Sequence, residues 1–395
     1  MTRMLQDPAR HEALTDTSWD EARARAAIEA IASDVEAAFD EQALWPTHPL
    51  DEGVLGASSY KSLYHGAAGV IWAQVYLAAQ GAAESRDWSG FAGALVEHYR
   101  AAPDTRLAVS SYWLGEAGVM LAAWRLDPAA VDVDLLYRLI ETNRDNVADE
   151  QVWGAPGTMM AARFLHQATG ERRWRELFDA DVAALMARWA RVDEAGCSLW
   201  TQNLYGELTD QVGAGHGLAG NVGSILRGGP NDEAKALAAE ALRATALEED
   251  GLANWPQYAT MPRRGRTDLL VQWCHGAPGM ITSLSAALDD DESDRLLRAG
   301  GELTWRAGPL AKGAGLCHGT AGNGFAFLEL FRRTGDERWL DRARRFAMHA
   351  LAQSDRMAAA HGRRRYSLWT GDPGVAIYLH GCLTGRAGMP LLDLF

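Results

Sequence analysis

Two short stretches carry the residue types that hold a transition metal: Trp273-Cys274-His275-Gly276-Ala277-Pro278-Gly279 and Leu316-Cys317-His318-Gly319-Thr320-Ala321-Gly322. Each sets a cysteine and a histidine ahead of a glycine pair that opens an apolar helical run. Thiolate and imidazole are the donors zinc prefers, and three of them with a fourth position open make a catalytic site rather than a structural one. A thiol entering such a site is held as the thiolate near neutral pH and becomes a nucleophile. The chemistry expected is therefore thiol activation at one Zn2+ per chain. Cys274 and Cys317 are the shared ligands, with His318 or His275 as the third. The competing possibility is that both cysteines are small buried residues and both histidines are helix caps. Two copies in one register argue against it.

Other groups stand in the same place relative to a glycine pair. His216, in Gly213-Ala214-Gly215-His216-Gly217, lies where glycines bring backbone close to a ligand, and it is the candidate acid–base residue. His275 and Glu150 are further catalytic candidates, Glu150 because it leads directly into a helix start. Asp149, Asp210 and Asp268 lie near helix starts too, but most carboxylates are solvated surface charge. His65 shares the register in a weaker setting. Lys312 precedes Cys317 by five residues, and Arg363-Arg364-Arg365 precedes Gly371. Lys312, Arg364 and Arg365 are the candidates for holding a substrate carboxylate. Trp113, Trp153, Trp273 and Trp369 either wall the mouth or pack the core. Cys197 and Cys382 lack a partner at this register and read as packing residues.

Positioning these groups falls to a repeat. Gly-x-x-Gly opens an apolar helical run seven times, at Gly66, Gly115, Gly154, Gly217, Gly276, Gly319 and Gly371. Charged amphipathic helices lie between the copies: 134–144, 172–191, 232–245, 291–307 and 337–354, with another over 22–39. Strand periodicity is weak, so the chain reads as all-α. One glycine of each pair is expected to take φ > 0 at the turn into the helix and the other to permit close packing. Seven equivalent helix starts place their loops at one end. A closed ring of inner helices wrapped by outer ones brings the candidates together, whereas an open solenoid would not.

The totals agree with a reduced, soluble enzyme. The net charge of −14 argues against nucleic acid or an anionic membrane as partner. Four cysteines among 395 residues are too few for a disulfide framework, which points to the cytoplasm. Residues 1–20 lack the apolar stretch of a secretory signal, and no apolar run is long enough to span a membrane.

These motifs resemble the lanthionine synthetase C-like (LanC-like) family from about Ser62 to the C-terminus. They are the seven Gly-x-x-Gly copies, Trp-Cys-His-Gly-Ala-Pro-Gly at 273–279, Cys-His-Gly at 317–319 and Gly-Ala-Gly-His-Gly-Leu-Ala-Gly at 213–220. The resemblance implies an α/α toroid, a double α-barrel of seven inner and seven outer helices. Residues 56–395 would form it, with the polar segment and helix of 1–55 belonging to the same unit. It implies zinc on Cys274, Cys317 and His318, with the substrate thiol in the open position. His216 matches the family's active-site histidine, and Lys312 matches a lysine that contacts glutathione in the eukaryote-type members. The implied reaction is Michael-type addition of a thiol, from glutathione or a peptide cysteine, to dehydroalanine or dehydrobutyrine in a peptide or protein. One alternative is a cyclase closing lanthionine rings in a precursor peptide. Such cyclases commonly carry Tyr after the first zinc cysteine and Arg four residues before it, where this chain has His275 and Leu270, and Glu150 falls near their catalytic Asp. Leu316–Leu328 and Tyr366-Ser367-Leu368-Trp369 look more like the glutathione-binding members. A non-catalytic zinc-containing receptor for glutathione or peptides is the alternative from another class.

Overall fold

The computed structural model describes residues 4–53, 59–260 and 269–395. Asp268 and the junction between residues 55 and 56 lie outside them. Fourteen α-helices follow in order among the described residues: α1 (Glu21–Ala37), α2 (Ala67–Ala79), α3 (Ala92–Ala101), α4 (Glu116–Leu126), α5 (Val133–Asn143), α6 (Ala155–Thr169), α7 (Arg172–Arg188), α8 (Leu218–Arg227), α9 (Asp232–Thr245), α10 (Ala277–Leu284), α11 (Asp291–Ala307), α12 (Thr320–Thr334), α13 (Glu337–His361) and α14 (Asp372–Thr384). The even-numbered helices form the inner ring. Neighbours pack α2·α4, α4·α6, α6·α8, α8·α10, α10·α12, α12·α14 and α14·α2, which closes the circle. The odd-numbered helices wrap it, with α1 against α14.

Burial follows composition. Every residue of α10 is buried, and α14 is buried from Asp372 to Cys382. Such all-round apolar helices are stable only when enclosed. In α11 the buried positions include Leu296, Leu297, Gly300, Leu303 and Thr304, one stripe with charged residues elsewhere. α13 runs to His361, a turn or more beyond the helix expected from the sequence. No helix among the described residues is long and apolar enough to cross a membrane.

The two helix classes start differently. Asp20, Asp132, Asn231, Asp290 and Asp336 cap five outer helices through their side chains. The inner helices all begin at a glycine without a side-chain cap. In five of them the first N–H donates instead to a carbonyl of the loop folded back above it, while in α10 Ala277 N donates to Asn254 Oδ1 at 2.9 Å. Ala67 N donates to Tyr60 O (3.0 Å), Leu218 N to Gln211 O (3.0 Å), Thr320 N to Gly313 O (2.9 Å) and Asp372 N to Arg365 O (2.9 Å). This main-chain cap satisfies donors that would otherwise be buried unpaired.

The glycines serve that fold-back. Contrary to the expectation from sequence, only Gly276 of the seven first glycines has positive φ (107°). Gly66 and Gly319, at −122° and −136°, are extended like the other four. What they permit is close approach. A Cβ on Gly69, Gly118 or Gly322 would lie 2.1, 1.8 or 1.7 Å from the carbonyl oxygen of Leu63, Tyr112 or Leu316. The second glycine of each pair thus holds its own loop against the helix start.

Loops that the sequence leaves unstructured contain three small antiparallel hairpins: β1 (Ala190–Val192) with β2 (Cys197–Leu199), β3 (Gln202–Leu204) with β4 (Glu207–Thr209), and β5 (Leu247–Glu249) with β6 (Leu252–Asn254). Three-residue strands are too short to show period-2 alternation. At the far end of the barrel the C-terminal segment packs inside the ring. Tyr112 Oη and Arg163 Nη1 donate to Leu391 O (2.8 Å) and Leu392 O (2.9 Å), and Arg227 pairs with Asp393 at 2.6 Å.

Gly322→Ala should destabilise the protein by about 1–3 kcal/mol in urea denaturation, because the added methyl overpacks against Leu316 O. Gly90→Ala, where nothing lies within 4 Å of the added Cβ, should leave the midpoint nearly unchanged.

Candidate metal centre and its surroundings

The loops before α10 and α12 bring together Cys274 Sγ, Cys317 Sγ and a ring nitrogen of His318, all within 4.8 Å of one another. Adjacent barrel positions make this possible, since Cys274 N donates to Cys317 O at 3.1 Å. Both cysteines are only 7% exposed. The donor set fits zinc: two sulfurs and one imidazole nitrogen, of matching softness, converge on one another in a buried place. The thiols ionise as a pair. A hydrogen bond from Cys317 draws Cys274 well below the ordinary thiol value, helped by the His275 and His318 imidazoles and opposed by desolvation. The second ionisation, assigned to Cys317, is pushed up by its bond to Cys274 and by burial, while the neighbouring Tyr64 hydroxyl and Lys312 pull it down.

His275 is placed differently from His318. Its ring lies 6.1 Å from the His216 ring, at an interplanar angle of 26°. The glycines around His216 allow that approach. Gly215 N donates to Cys274 O at 3.2 Å, and a Cβ on Gly215 would stand 2.9 Å from Cys274 Cβ. His216 Nδ1 bonds Glu150 Oε2 at 2.8 Å. The Glu150 carboxylate is fully buried and also accepts from Val152 N (2.8 Å) and Trp153 N (2.5 Å), which locks it in place. Burial pulls the His216 imidazole down, but the Glu150 charge and hydrogen bond and the nearby Cys274 outweigh it. His216 therefore titrates above its ordinary value.

The remaining carboxylates serve the scaffold. Asp149 binds Arg188 through both oxygens, and Asp210 accepts from Thr260 N at 3.0 Å. His65 Nδ1 lies 3.7 Å from Asp51, and burial lowers its pKa to about 4. Cys197 and Cys382 are buried elsewhere, and burial raises their thiols to about 11 and about 12.

A shallow, solvent-open pocket lies beside His318, lined by Lys312, Arg365, Trp369, Thr370 and Asp372 among others. Lys312 is exposed there, with no acidic partner among the described residues. Arg365 is held by Asp51, with Nε 2.7 Å from Oδ2 and a second bond to Oδ1. Arg364 is held by Ser354 Oγ (3.0 Å), Asp355 (3.6 Å) and Asp372 (3.8 Å); Ser354 and Asp372 line the pocket, and Arg364 itself does not. Arg363 donates to Thr47 O at 2.7 Å.

Three of the tryptophans form a plug behind the site: Trp369 packs on Trp113 at 4.7 Å and on Trp273 at 4.5 Å, and Tyr64 stacks over it at 6.0 Å. Trp153 instead stands at the mouth and donates to Tyr205 Oη at 3.1 Å. Leu107, Val147, Tyr205 and Leu208 are the most exposed large apolar side chains among the described residues, and all lie in loops leading to inner helices.

Sequence reasoning passed over several groups. Tyr64 occupies in the first repeat the place of Cys274 and Cys317, two residues before the first glycine, and that register would have found it. Gln272, whose Nε2 donates to Cys274 Sγ at 3.0 Å, and Asp51, which orients Arg365, carry no such signal. Their partners are set by chain folding alone.

Residues 58–389 match the family described as lanthionine synthetase C-like protein. A zebrafish (Danio rerio) protein named glutathione S-transferase LANCL1 is 27% identical over 317 residues, 72% of this chain and 74% of that one. LanC-like protein GCL1 of Arabidopsis thaliana is 32% identical over 234 residues, 56% of this chain but only 52% of its own length. Among solved structures, nisin cyclase superposes with a TM-score of 0.62 at 15% identity, covering 92% of this chain and 94% of that one, a likeness of fold.

In NMR titrations His216 should titrate above the ordinary imidazole value of 6.5, and Glu150→Gln should lower it, because the carboxylate charge and its hydrogen bond, which oppose desolvation most, are then gone and only the smaller effect of Cys274 remains against it. The folded value is raised, so the pair stabilises the fold fully below the unfolded value and progressively less as pH rises through the folded one. Denaturation free energies between about pH 6 and 9 should show this loss in the wild type and not in Glu150→Gln.

Proposed function

The chain belongs to the lanthionine synthetase C-like family, and from that membership we propose that it adds a thiol to dehydroalanine or dehydrobutyrine residues, forming a thioether. The observation that carries this reading is the convergence of Cys274, Cys317 and His318 beside a half-buried His216 held by the buried Glu150. Cys274, Cys317 and His318 would hold a zinc ion, whose Lewis acidity keeps an incoming thiol as the thiolate.

The thiol donor best supported is a small one that carries a carboxylate, such as glutathione. Lys312 and Arg365 put positive charge on the pocket next to His318. Asp51 fixes the Arg365 guanidinium, so it presents its remaining donors without rotational freedom. The acceptor best supported is a polypeptide, because Trp153, Tyr205 and Leu208 put exposed apolar surface in the connection and loop around the site.

The substrate sulfur attacks the β-carbon of the dehydroamino acid, and the π electrons move through the α-carbon into the neighbouring carbonyl as an enolate. A proton must then reach the α-carbon. We assign its delivery to His216: Glu150 holds Nδ1, so Nε2 is the nitrogen left for the substrate, and the raised pKa favours the protonated imidazole that a general acid requires. His275, beside His216, is the second candidate for relaying that proton.

The test is mass spectrometry of a dehydroalanine peptide with an internal cysteine, incubated with zinc-loaded protein with and without glutathione. A gain of one glutathione mass is expected. Loss of the free thiol at unchanged mass would instead mean ring closure, and no reaction despite bound zinc would favour a non-catalytic receptor. Cys317→Ala should lose both zinc and turnover. His216→Asn should keep zinc while the addition rate falls about 10²–10⁴-fold, the range usual for a general acid.

A further inference from the structure

Three sulfurs would meet at the proposed centre, two from the chain and one from the thiol donor. An electrophile arriving there has to be attacked by only one of them. Attack by Cys274 would form a bond between its Sγ and the β-carbon, pass the π electrons to the enolate and end with a proton at the α-carbon. The product is a thioether on a ligand residue, which destroys the site.

The two cysteines of the chain are not equivalent to an incoming thiol. Gln272 N donates to His275 O and His275 N to Gln272 O, both at 3.1 Å, which closes a tight loop over Gln272-Trp273-Cys274-His275. That loop turns the Gln272 amide back onto the sulfur two residues on, and Nε2 donates to Cys274 Sγ at 3.0 Å. Gln272 is itself 7% exposed, so water does not compete for this bond. A hydrogen bond to an anionic acceptor is among the stronger ones, and it is lost if the lone pair is spent on a new bond to carbon. Cys317 has the Tyr64 hydroxyl beside it. The Gln272 amide is directed at Cys274 and not at a thiol in the open position.

We propose that Gln272 is a positioning residue that keeps Cys274 a ligand and withholds it from the electrophile, so that the incoming thiol alone reacts. This rests on the thiol-addition reading of the site. Gln272 does not touch the substrate; it acts through Cys274.

The test compares full-length zinc-loaded wild type, Gln272→Leu, which cannot donate, and Gln272→His, which keeps an N–H donor. Each is treated with iodoacetamide, which transfers its carbamoylmethyl group to a thiolate with loss of iodide. Peptide mapping locates the adduct, and zinc content is measured before and during the reaction. Gln272→Leu should begin with stoichiometric zinc, then be alkylated at Cys274 roughly tenfold or more faster than wild type, the loss of one charge-assisted hydrogen bond. Zinc should leave in step, the Cys317 rate should not change, and Gln272→His should behave like wild type. Equal Cys274 rates in wild type and Gln272→Leu would overturn the proposal. So would Gln272→Leu purifying without zinc while wild type holds it, since Gln272 would then support metal binding and not selectivity. A wild type that takes up no zinc would count against the metal reading instead. The rate comparison on the metal-free thiols would still decide the role of Gln272.

Discussion

Main-chain hydrogen bonds run around the open end of the barrel through one register position, two residues before the first glycine of each pair. Gly215 N donates to Cys274 O, Cys274 N to Cys317 O, Cys317 N to Trp369 O, Trp369 N to Tyr64 O and Tyr64 N to Trp113 O, all between 3.0 and 3.2 Å. The circle is completed by side chains. Ser111 Oγ donates to Val152 O at 2.6 Å, and the step from Val152 to His216 passes through the Glu150 carboxylate. The rim is therefore a cyclic hydrogen-bonded belt, and the sulfurs are two of its members. Metal ligands held this way inherit the rigidity of the whole ring, which is what a site that must keep an open coordination position requires.

The same belt explains why the acid–base pair sits where it does. Between the third and fourth repeats a side-chain carboxylate takes the place of main-chain pairing. Val152 N and Trp153 N need an acceptor, and Glu150 supplies it. A carboxylate already buried to satisfy the backbone is then available to hold His216. Structural and catalytic demands coincide in one residue, and the desolvation cost of burying it is offset by three donors.

Charge is distributed with similar economy. The chain carries a large excess of acid, yet the pocket beside His318 is lined by Lys312 and Arg365. Asp51 keeps Arg365 from repelling its surroundings while fixing its direction, and Arg364 is held behind the lining residue Asp372 and by Asp355. Of an arginine run that looks uniform in sequence, one member faces the site and two serve the loop. Packing geometry sorts them, because successive residues of an extended segment point to different sides.

Sequence alone determined the seven-fold count, the alternation of apolar inner and amphipathic outer helices, and the placing of Cys274 and Cys317 two residues, and of His216 and His318 one residue, before the first glycine of a pair. Those features are written in spacing and hydrophobic period, which are local. The role of the glycines was legible only in part. A Gly-x-x-Gly pair looks like a demand for positive φ, whereas six of the seven first glycines are extended and the contact each pair permits is with a loop carbonyl that no local pattern reveals. The residues alone left His318 and His275 both open, and the family resemblance pointed to His318; the structure groups His318 with the two sulfurs. Tertiary structure alone decided that Glu150 bonds His216, and that Gln272 and Asp51 reach the site at all. Each of these depends on where a side chain points once the ring has closed, and the ring closes through contacts between residues hundreds of positions apart.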